Sequence, residues 1–266
     1  MAVEGEPHRL QCSVMHDSYS VVKTRTVGSM QIGAVLSQSW DLYKKFLKEF
    51  FLTAFLVFLV LDLLSALAST AAGGGTGSRA FWSLIAFAVG IVGYFWVQAA
   101  LVELVRDVRD GRADRSVTET YRAVQPHLVA VIVAGILAGI GIAIGLILLI
   151  VPGLFLLTIW SMLVPVIVIE GKSAGESFSR SREVVRGNGW NVFGLILLTF
   201  LLVAIASGLI QLLFSPLPDF LDAWLGSLVA HSLTVPFAAA TLTTAYFTLT
   251  AGRSEPVEPV EVTPTA

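Results

Sequence analysis

Cysteine is almost missing from this sequence, since Cys12 is the only one among 266 residues. A single cysteine excludes an intrachain disulfide and a cysteine metal cluster. The four histidines are widely spread and lack metal-ligand spacing: His8, His16, His127 and His231. We therefore expect no bound metal and no cofactor.

Motifs of the common enzyme classes are missing as well. The sequence has no Gly-x-Ser-x-Gly nucleophile elbow, no His-Glu-x-x-His motif, no P-loop and no dinucleotide-binding fingerprint. The N-terminus also lacks the apolar core of a signal peptide. These absences favour a non-enzymatic protein, and we expect no nucleic-acid partner.

Charge is scarce and unevenly distributed. Only 14% of the residues are charged, 55% are hydrophobic, and the mean hydropathy is +0.79. This composition excludes an ordinary soluble domain. The net charge of −2 says little, because the charged residues are segregated from the apolar segments. The composition indicates an integral membrane protein.

Long apolar segments predict the number of spans. A membrane helix needs about 20 apolar residues, because a hydrocarbon core of about 30 Å is crossed at about 1.5 Å per residue. Six segments qualify, and the fourth is the shortest: approximately 50–71, 81–105, 127–150, 154–170, 191–214 and 226–250.

We therefore predict an all-α, polytopic membrane helix bundle whose six-span domain covers residues 31–251. Residues 1–30 are polar and lack clear periodicity, which indicates either a disordered extension or an upstream start site with Met30 as the true beginning. The Pro- and Glu-rich tail, residues 252–266, is predicted to be disordered.

Lysines and arginines predict the orientation. They are concentrated ahead of the first span, between the second and third, and between the fourth and fifth, whereas the three opposite connections contain only Arg79. Because cationic loops stay in the cytoplasm, we expect a multi-pass protein of the inner (plasma) membrane with both termini cytoplasmic.

Three short amphipathic helices are predicted on the cytoplasmic side. Ser116 with Glu119 and Ser173 with Glu176 form capping-box patterns, and residues 32–50 have a similar amphipathic design without the box. Each precedes a pair of spans, which indicates either a threefold repeat or ordinary juxtamembrane helices. Either way, we expect them in the inner interface, where their cations face anionic lipid head groups.

Glycine and proline predict where the spans approach or break. Pro152-Gly153 is expected to break the chain at the outer face, and Pro165 to kink span four. Two pairs of glycines four residues apart are expected to let helix backbones approach closely: Gly135 with Gly139, and Gly141 with Gly145.

Asp62 is the most unusual residue of the apolar segments. A carboxylate near the middle of a span costs about 2.5–3.5 kcal/mol on insertion scales, so it is expected to face the bundle interior or to pair. Span six is the most polar and holds His231. One hypothesis is that Asp62 and His231 form a proton- or ion-responsive pair in the outer half. The alternative is a hydrogen-bonded interior carboxylate with His231 near the interface.

The stretch PVIVIEGKSAGESFSRSREVVRGNGWNVFG, residues 165–194, resembles the signature of the bacterial glycerophosphoryl diester phosphodiesterase membrane-domain family and its stand-alone six-span relatives. The segment SQSWDLYKKF before span one is similar to that family's entry helix. Because the family's catalytic module is a separate soluble domain, the resemblance implies a membrane module and not a phosphodiesterase. The matching positions are Pro165, Glu170, Ser181, Gly187, Asn188 and Trp190.

These patterns suggest roles for the residues of this stretch. Gly187-Asn188 is expected to end the surface helix, Trp190 to anchor span five at the interface, and Glu170 to pair with Arg182 or Arg186. The leading hypothesis is that the basic helices contact anionic lipid or a partner protein, through Arg180, Arg182 and Arg186. The alternative is a small transporter or channel that uses Asp62 and the polar face of span six. A lipid-modifying enzyme is the third possibility.

Overall fold

The computed structural model describes residues 30–70 and 76–251, with side chains described for 30–68 and 80–251. The predicted disordered ends lie outside the described residues, except for Met30. Within the described ranges, every regular element is a helix, so the all-α prediction is confirmed.

The helices are numbered in chain order. They are α1 Ile32–Lys45, α2 Leu47–Thr70, α3 Thr76–Asp107, α4 Val117–Val124, α5 Leu128–Leu148, α6 Ile150–Ile159, α7 Leu163–Glu170, α8 Ala174–Val185, α9 Gly189–Phe214, α10 Asp219–Leu221 and α11 Ser227–Ala251. A π-helical turn, Asp222–Gly226, joins α10 to α11.

Six helical stretches are long and apolar enough to cross a membrane. They contain α2, α3, α5, α6 with α7, α9, and α11 with the turns before it. The chain is therefore a multi-pass helix bundle, as predicted. A short helix precedes each pair of these spans in the described order: α1, α4 and α8.

The centre of the bundle is built from α2, α3 and α11. Phe50 and Phe58 of α2 pack against Leu101 and Leu104 of α3 and against Ala240 of α11, and all five are buried. In contrast, α9 lies at the edge and exposes a column of leucines along its length. Such a surface is typical of a helix that faces lipid.

The short helices pack against the spans. The Tyr43 hydroxyl of α1 donates to the Leu233 carbonyl of α11 at 2.9 Å, and the two aromatic rings of Tyr43 and Phe237 meet edge to face. Burial raises the pKa of Tyr43 to about 12. The Tyr121 hydroxyl of α4 donates to the Thr53 carbonyl of α2 at 2.6 Å. Each short helix is therefore part of the bundle's packing. Their placement in a lipid interface stays a prediction.

The predicted chain break at Pro152-Gly153 and the predicted kink at Pro165 both occur a few residues earlier than the sequence analysis placed them. The chain leaves the helical conformation at Leu149, before Pro152, and again at 160–162, before Pro165. Each proline is the third residue of the helix that follows, where a missing N–H costs nothing. The proline ring clashes with the carbonyl group four residues earlier, so the previous helix cannot continue through this position. The break therefore precedes the proline.

One of the two glycine pairs in α5 provides a close backbone approach. A Cβ on Gly145 would lie 3.0 Å from the Gly153 Cα of α6, so the two backbones touch. Gly135 and Gly141 instead make room for aromatic rings, those of Phe95 and Trp160. A Cβ on Gly139 would meet nothing within 4 Å, so the expectation for that position is wrong.

The hairpin of α5 and α6 gives a matched test. Gly145→Ala places a methyl group against backbone and is expected to destabilise the bundle by about 1–3 kcal/mol. Gly139→Ala is expected to be neutral or stabilising by up to about 1 kcal/mol, because alanine favours helix. Unfolding of both variants in mixed micelles measures the difference, and equal stabilities would contradict the close approach.

Candidate functional site

The motif stretch folds into a helix, a capped short helix and the start of the next span. Gly171 ends α7 with φ 67°. Ser173 then caps α8: its Oγ accepts from the Glu176 N–H at 3.4 Å, while the Glu176 carboxylate accepts from the Ser173 N–H at 3.1 Å. The hydrogen bond from the Ser173 hydroxyl holds the pKa of Glu176 below its usual range. The predicted capping boxes at Ser116 and Ser173 are both confirmed.

The end of α8 is also as predicted. Gly187 has φ 87°, in the left-handed region that glycine tolerates best. Asn188 has φ −122°, so the left-handed residue is the glycine. The Asn188 side-chain oxygen accepts a hydrogen bond from the Met30 N–H at 3.1 Å, which ties the start of α1 to the start of α9.

Ser181 fills the break in the fourth span. It is fully buried on α8. Its hydroxyl donates to the Ile159 carbonyl at 2.7 Å and accepts from the Met162 N–H at 3.2 Å. These are backbone groups on either side of the turn between α6 and α7. A hydroxyl that donates and accepts at once can therefore replace two hydrogen bonds that the interrupted helix loses.

Glu170 pairs with Arg180, and the predicted pairing with Arg182 or Arg186 is wrong. Both Glu170 carboxylate oxygens accept from the Arg180 Nε, at 2.8 and 2.9 Å. The Tyr246 hydroxyl of α11 donates to the same carboxylate at 2.7 Å. The rotation of α8 about its own axis explains this pairing. Arg180 lies on the face of α8 that packs against the bundle, together with the buried residues Ser177, Ser181 and Val184.

This carboxylate joins three helices. The hydrogen bond to Glu170 raises the pKa of Arg180 above its ordinary value, so the guanidinium is charged throughout the accessible pH range. Arg182 and Arg186 are exposed. The three arginines therefore do not form one equivalent surface, because Arg180 is directed into the bundle.

Pro165 and Trp190 complete the motif positions. Pro165 is buried in α7, below the break that Ser181 fills. Trp190 is 86% exposed at the second residue of α9. Its position at a helix end fits an aromatic anchor in a membrane interface. That role stays a prediction.

Glu103 forms a second ion pair, which the sequence analysis missed. It is 5% exposed near the end of α3 and accepts from the Arg115 guanidinium, with Arg106 at 3.6 Å. Asp107 accepts from the backbone N–H groups of Asp114 and Arg115, both at 3.1 Å. The sequence feature that could have indicated this ion pair is a carboxylate within an apolar run that is followed by cationic loop residues.

These contacts bring the connections that carry lysine and arginine to one end of the bundle, which we call the cationic end. Tyr246 of α11 contacts Glu170. The adjacent Phe247 contacts Arg109, whose guanidinium lies 4.1 Å from the centre of the Phe247 ring. The Lys45 ammonium donates to the Gly111 carbonyl at 3.2 Å. The cationic end therefore includes the end of α1, the starts of α4 and α8, and the end of α11.

Asp62 and His231 meet in the half of the bundle away from the cationic end. The His231 Nδ1 lies 3.0 and 3.1 Å from the two carboxylate oxygens of Asp62. The Asp62 side chain is 10% exposed and that of His231 is 45% exposed. The Phe58 ring lies 5.1 Å from the imidazole and fixes its position from the other side. The structure thus places together the two residues that the sequence analysis paired.

A cavity of about 490 Å³ borders this pair. Its walls come from α2 and α3, with His231 from α11. The polar lining includes Ser65 and Ser83, and the Tyr94 hydroxyl accepts from the Gln98 amide at 2.9 Å. The pair therefore borders a cavity with both apolar and polar walls and is not sealed in an apolar core.

Two further acidic residues lie beyond this pair, near the start of α11. Asp219 is exposed at the first position of α10. Asp222 begins the π-helical turn, and its Oδ1 is buried without a hydrogen-bond partner among the described residues. No group of three His, Cys, Asp or Glu side chains in the described part of the chain is arranged to hold a metal ion.

The Ser181 contacts give a matched test in one helix. Ser181→Ala leaves a buried carbonyl and a buried N–H without partners and is expected to cost about 1–3 kcal/mol of stability. Ser179→Ala is the control, because Ser179 is exposed and bonds only within its own helix; we expect a change below about 0.5 kcal/mol. Unfolding in mixed micelles measures both, and a silent Ser181→Ala would remove the role assigned to this hydroxyl.

Comparisons with known proteins agree with a membrane module of this extent. No curated protein and no solved structure matches the chain. A family model described as a domain of unknown function, DUF7847, matches residues 30–251. This range coincides with the described helices from α1 to α11, apart from the segment 71–75 between α2 and α3. The chain therefore belongs to the DUF7847 family.

Proposed function

We propose that this protein is a non-enzymatic integral membrane protein whose cationic end contacts anionic lipid head groups. In this proposal it lies in the inner (plasma) membrane with the cationic end and both termini in the cytoplasm. The observation that supports it most is the gathering of exposed arginines at one end of the bundle: Arg112, Arg122, Arg182 and Arg186.

The distribution of the carboxylates explains which cations are available. Glu170 and Glu103 are engaged by Arg180 and Arg115, and Glu176 and Glu119 cap the two short helices. These four carboxylates are therefore engaged in local contacts, two with arginine and two at helix starts. Side chains such as Arg122 and Arg182 point outward from helices that are themselves fixed to the spans. Cations held near a membrane surface attract anionic lipid by about 1 kcal/mol each.

Arg180 is removed from the lipid-contacting set that the sequence analysis proposed. Its Nε is bound to Glu170, and a third of its side chain is exposed. Replacing it would disturb the junction of α7, α8 and α11, so loss of lipid binding in that variant would not report on the surface. Tests of lipid contact therefore use the fully outward arginines.

Lipid preference tests this function. The full chain in neutral detergent is expected to bind phosphatidylglycerol in preference to phosphatidylcholine. Arg122→Gln combined with Arg182→Gln is expected to reduce that preference by up to roughly thirtyfold. High salt should reduce it as well, because exposed charges are screened. Native mass spectrometry counts the bound lipids.

Asp219→Asn is the control, because it changes one charge at the opposite end. An unchanged lipid preference in the double arginine variant would contradict the proposal. A preference that rises in Asp219→Asn would show that net charge, and not this surface, decides binding, because this variant is more positive than the parent chain.

A second candidate function is a small transporter or channel that uses Asp62. It is favoured by the contact of Asp62 with His231 beside a cavity that is partly lined by polar side chains. Ionisable residues inside a membrane domain are rare and commonly mark a pathway. An imidazole and a carboxylate at 3.0 Å can exchange a proton when either gains access to water.

Proton flux tests this second function. Vesicles that contain the full chain and a trapped pH-sensitive dye are expected to acidify faster than empty vesicles under an imposed membrane potential. Asp62→Asn should abolish the difference, and Asp219→Asn should retain it. Equal rates in vesicles with and without the protein would contradict transport of protons.

The resemblance to the glycerophosphoryl diester phosphodiesterase membrane-domain family stays a prediction. What supports it is that three of its positions, Pro165, Glu170 and Ser181, lie where the broken fourth span packs against α8. A phosphodiesterase activity is not part of our proposal.

A further inference from the structure

We propose that the cavity beside Asp62 is a binding site for a small organic cation that carries an alkylated ammonium group. The proposal rests on the second candidate function, because it names the class of solute that the Asp62 cavity takes. Binding is nevertheless measurable without any transport.

The charge of the lining favours a cation. Asp62 is the carboxylate in the cavity wall, and neither lysine nor arginine occurs among the side chains that line it in the described part of the chain. A carboxylate has about four sites for hydrogen-bond donors, and the His231 Nδ1 lies between its two oxygens. The remaining sites on these oxygens can face a ligand without loss of the His231 contact. An anion would meet this carboxylate without a compensating charge.

The aromatic lining favours an organic cation over a metal ion. The rings of Phe58, Phe87 and Tyr94 border the same space as the carboxylate. Aromatic faces attract ammonium groups, most strongly where water is excluded. Calcium and magnesium prefer six or more oxygen ligands. The lining offers one carboxylate and a few hydroxyls, from Ser65, Ser83 and Tyr94.

The dimensions and access of the cavity fit a small molecule. Its volume of about 490 Å³ lies within the range of small-molecule sites, about 300–1,000 Å³. Phe87 is 65% exposed and Tyr94 is 43% exposed, so the aromatic wall is at the mouth of the cavity. Asp62 lies deeper, at 10% side-chain exposure. A ligand therefore passes the aromatic wall before its charge reaches the carboxylate.

Choline and its uncharged isostere, 3,3-dimethylbutan-1-ol, test the proposal as probes of equal shape. Isothermal titration calorimetry on the full chain in neutral detergent is expected to detect choline binding and no binding of the alcohol. Asp62→Asn, which keeps the shape and removes the charge, should weaken choline binding at least about tenfold. Asp219→Asn should leave the dissociation constant unchanged.

Phe87→Leu is a second variant, chosen because the ring is exposed and its loss is not expected to affect folding. It should weaken choline binding about threefold. If Asp62→Asn does not fold, this variant and the uncharged isostere decide the question. Equal binding of choline and the alcohol, no choline binding at millimolar concentrations, or unchanged affinity in folded Asp62→Asn would each overturn the proposal. Choline binding without proton flux would retain this site and remove only proton transport from the second candidate function.

Discussion

The requirement that buried backbone groups have hydrogen-bond partners governs this structure. Lipid offers no partners, so a span that breaks must find them inside the protein. The fourth span breaks ahead of Pro165, and the Ser181 hydroxyl bonds to the backbone on both sides of the turn. A short helix outside the spans therefore completes a span. The Trp160 and Phe178 rings, 5.1 Å apart, close the same junction.

This constraint gives the motif positions a common physical explanation. Gly171 turns the chain so that α8 folds back on α7, and Gly187 stops α8 before α9 begins. Glu170 then binds Arg180 and Tyr246 and holds α7, α8 and α11 together. Each motif residue therefore acts at a helix end or at the break. The contacts of Asn188, Ser181 and Glu170 hold helices of the cationic end together.

The two ends of the bundle use their charges differently. At the cationic end, the carboxylates of buried Glu103 and partly buried Glu170 are paired with arginine, which offsets the cost of taking a charge out of water. At the other end, Asp62 is paired with His231, whose side chain is 45% exposed, and the pair borders a cavity. The first arrangement fixes helices to one another. The second leaves a charged group within reach of a ligand, which is why we place the ligand site there.

Composition and periodicity were sufficient to predict the helical class, the six spans and the short helix ahead of each pair. Capping boxes and Gly187 were predictable because they depend on neighbouring residues alone. The partner of Glu170 was not, because the choice among Arg180, Arg182 and Arg186 depends on how α8 rotates against the spans. The proline breaks were misplaced by a few residues, because proline disturbs the carbonyl four positions earlier. The ion pair of Glu103 was not predicted, because its partner, Arg115, lies beyond the turn that follows α3.

At the Asp62 site, too, some features were predictable from the sequence and others were not. The cost of a carboxylate inside lipid made Asp62 conspicuous, and the polarity of the sixth span suggested His231 as its partner. The cavity beside them depends on how α2 and α3 diverge, which no local pattern records. Phe87 and Tyr94 were therefore not recognised as residues of this site, although the second span contains many aromatic residues.

The central claim is that the cationic end faces the cytoplasm while the Asp62 end faces outward, and cysteine labelling tests it most directly. In a Cys12→Ser background, single cysteines are placed at Ala113, between α3 and α4, and at Ser215, after α9; both positions are exposed. A membrane-impermeant maleimide applied to intact cells is expected to label Ser215→Cys, and to label Ala113→Cys only after the membrane is permeabilised. The reverse pattern, or equal labelling of both positions in intact cells, would contradict the account.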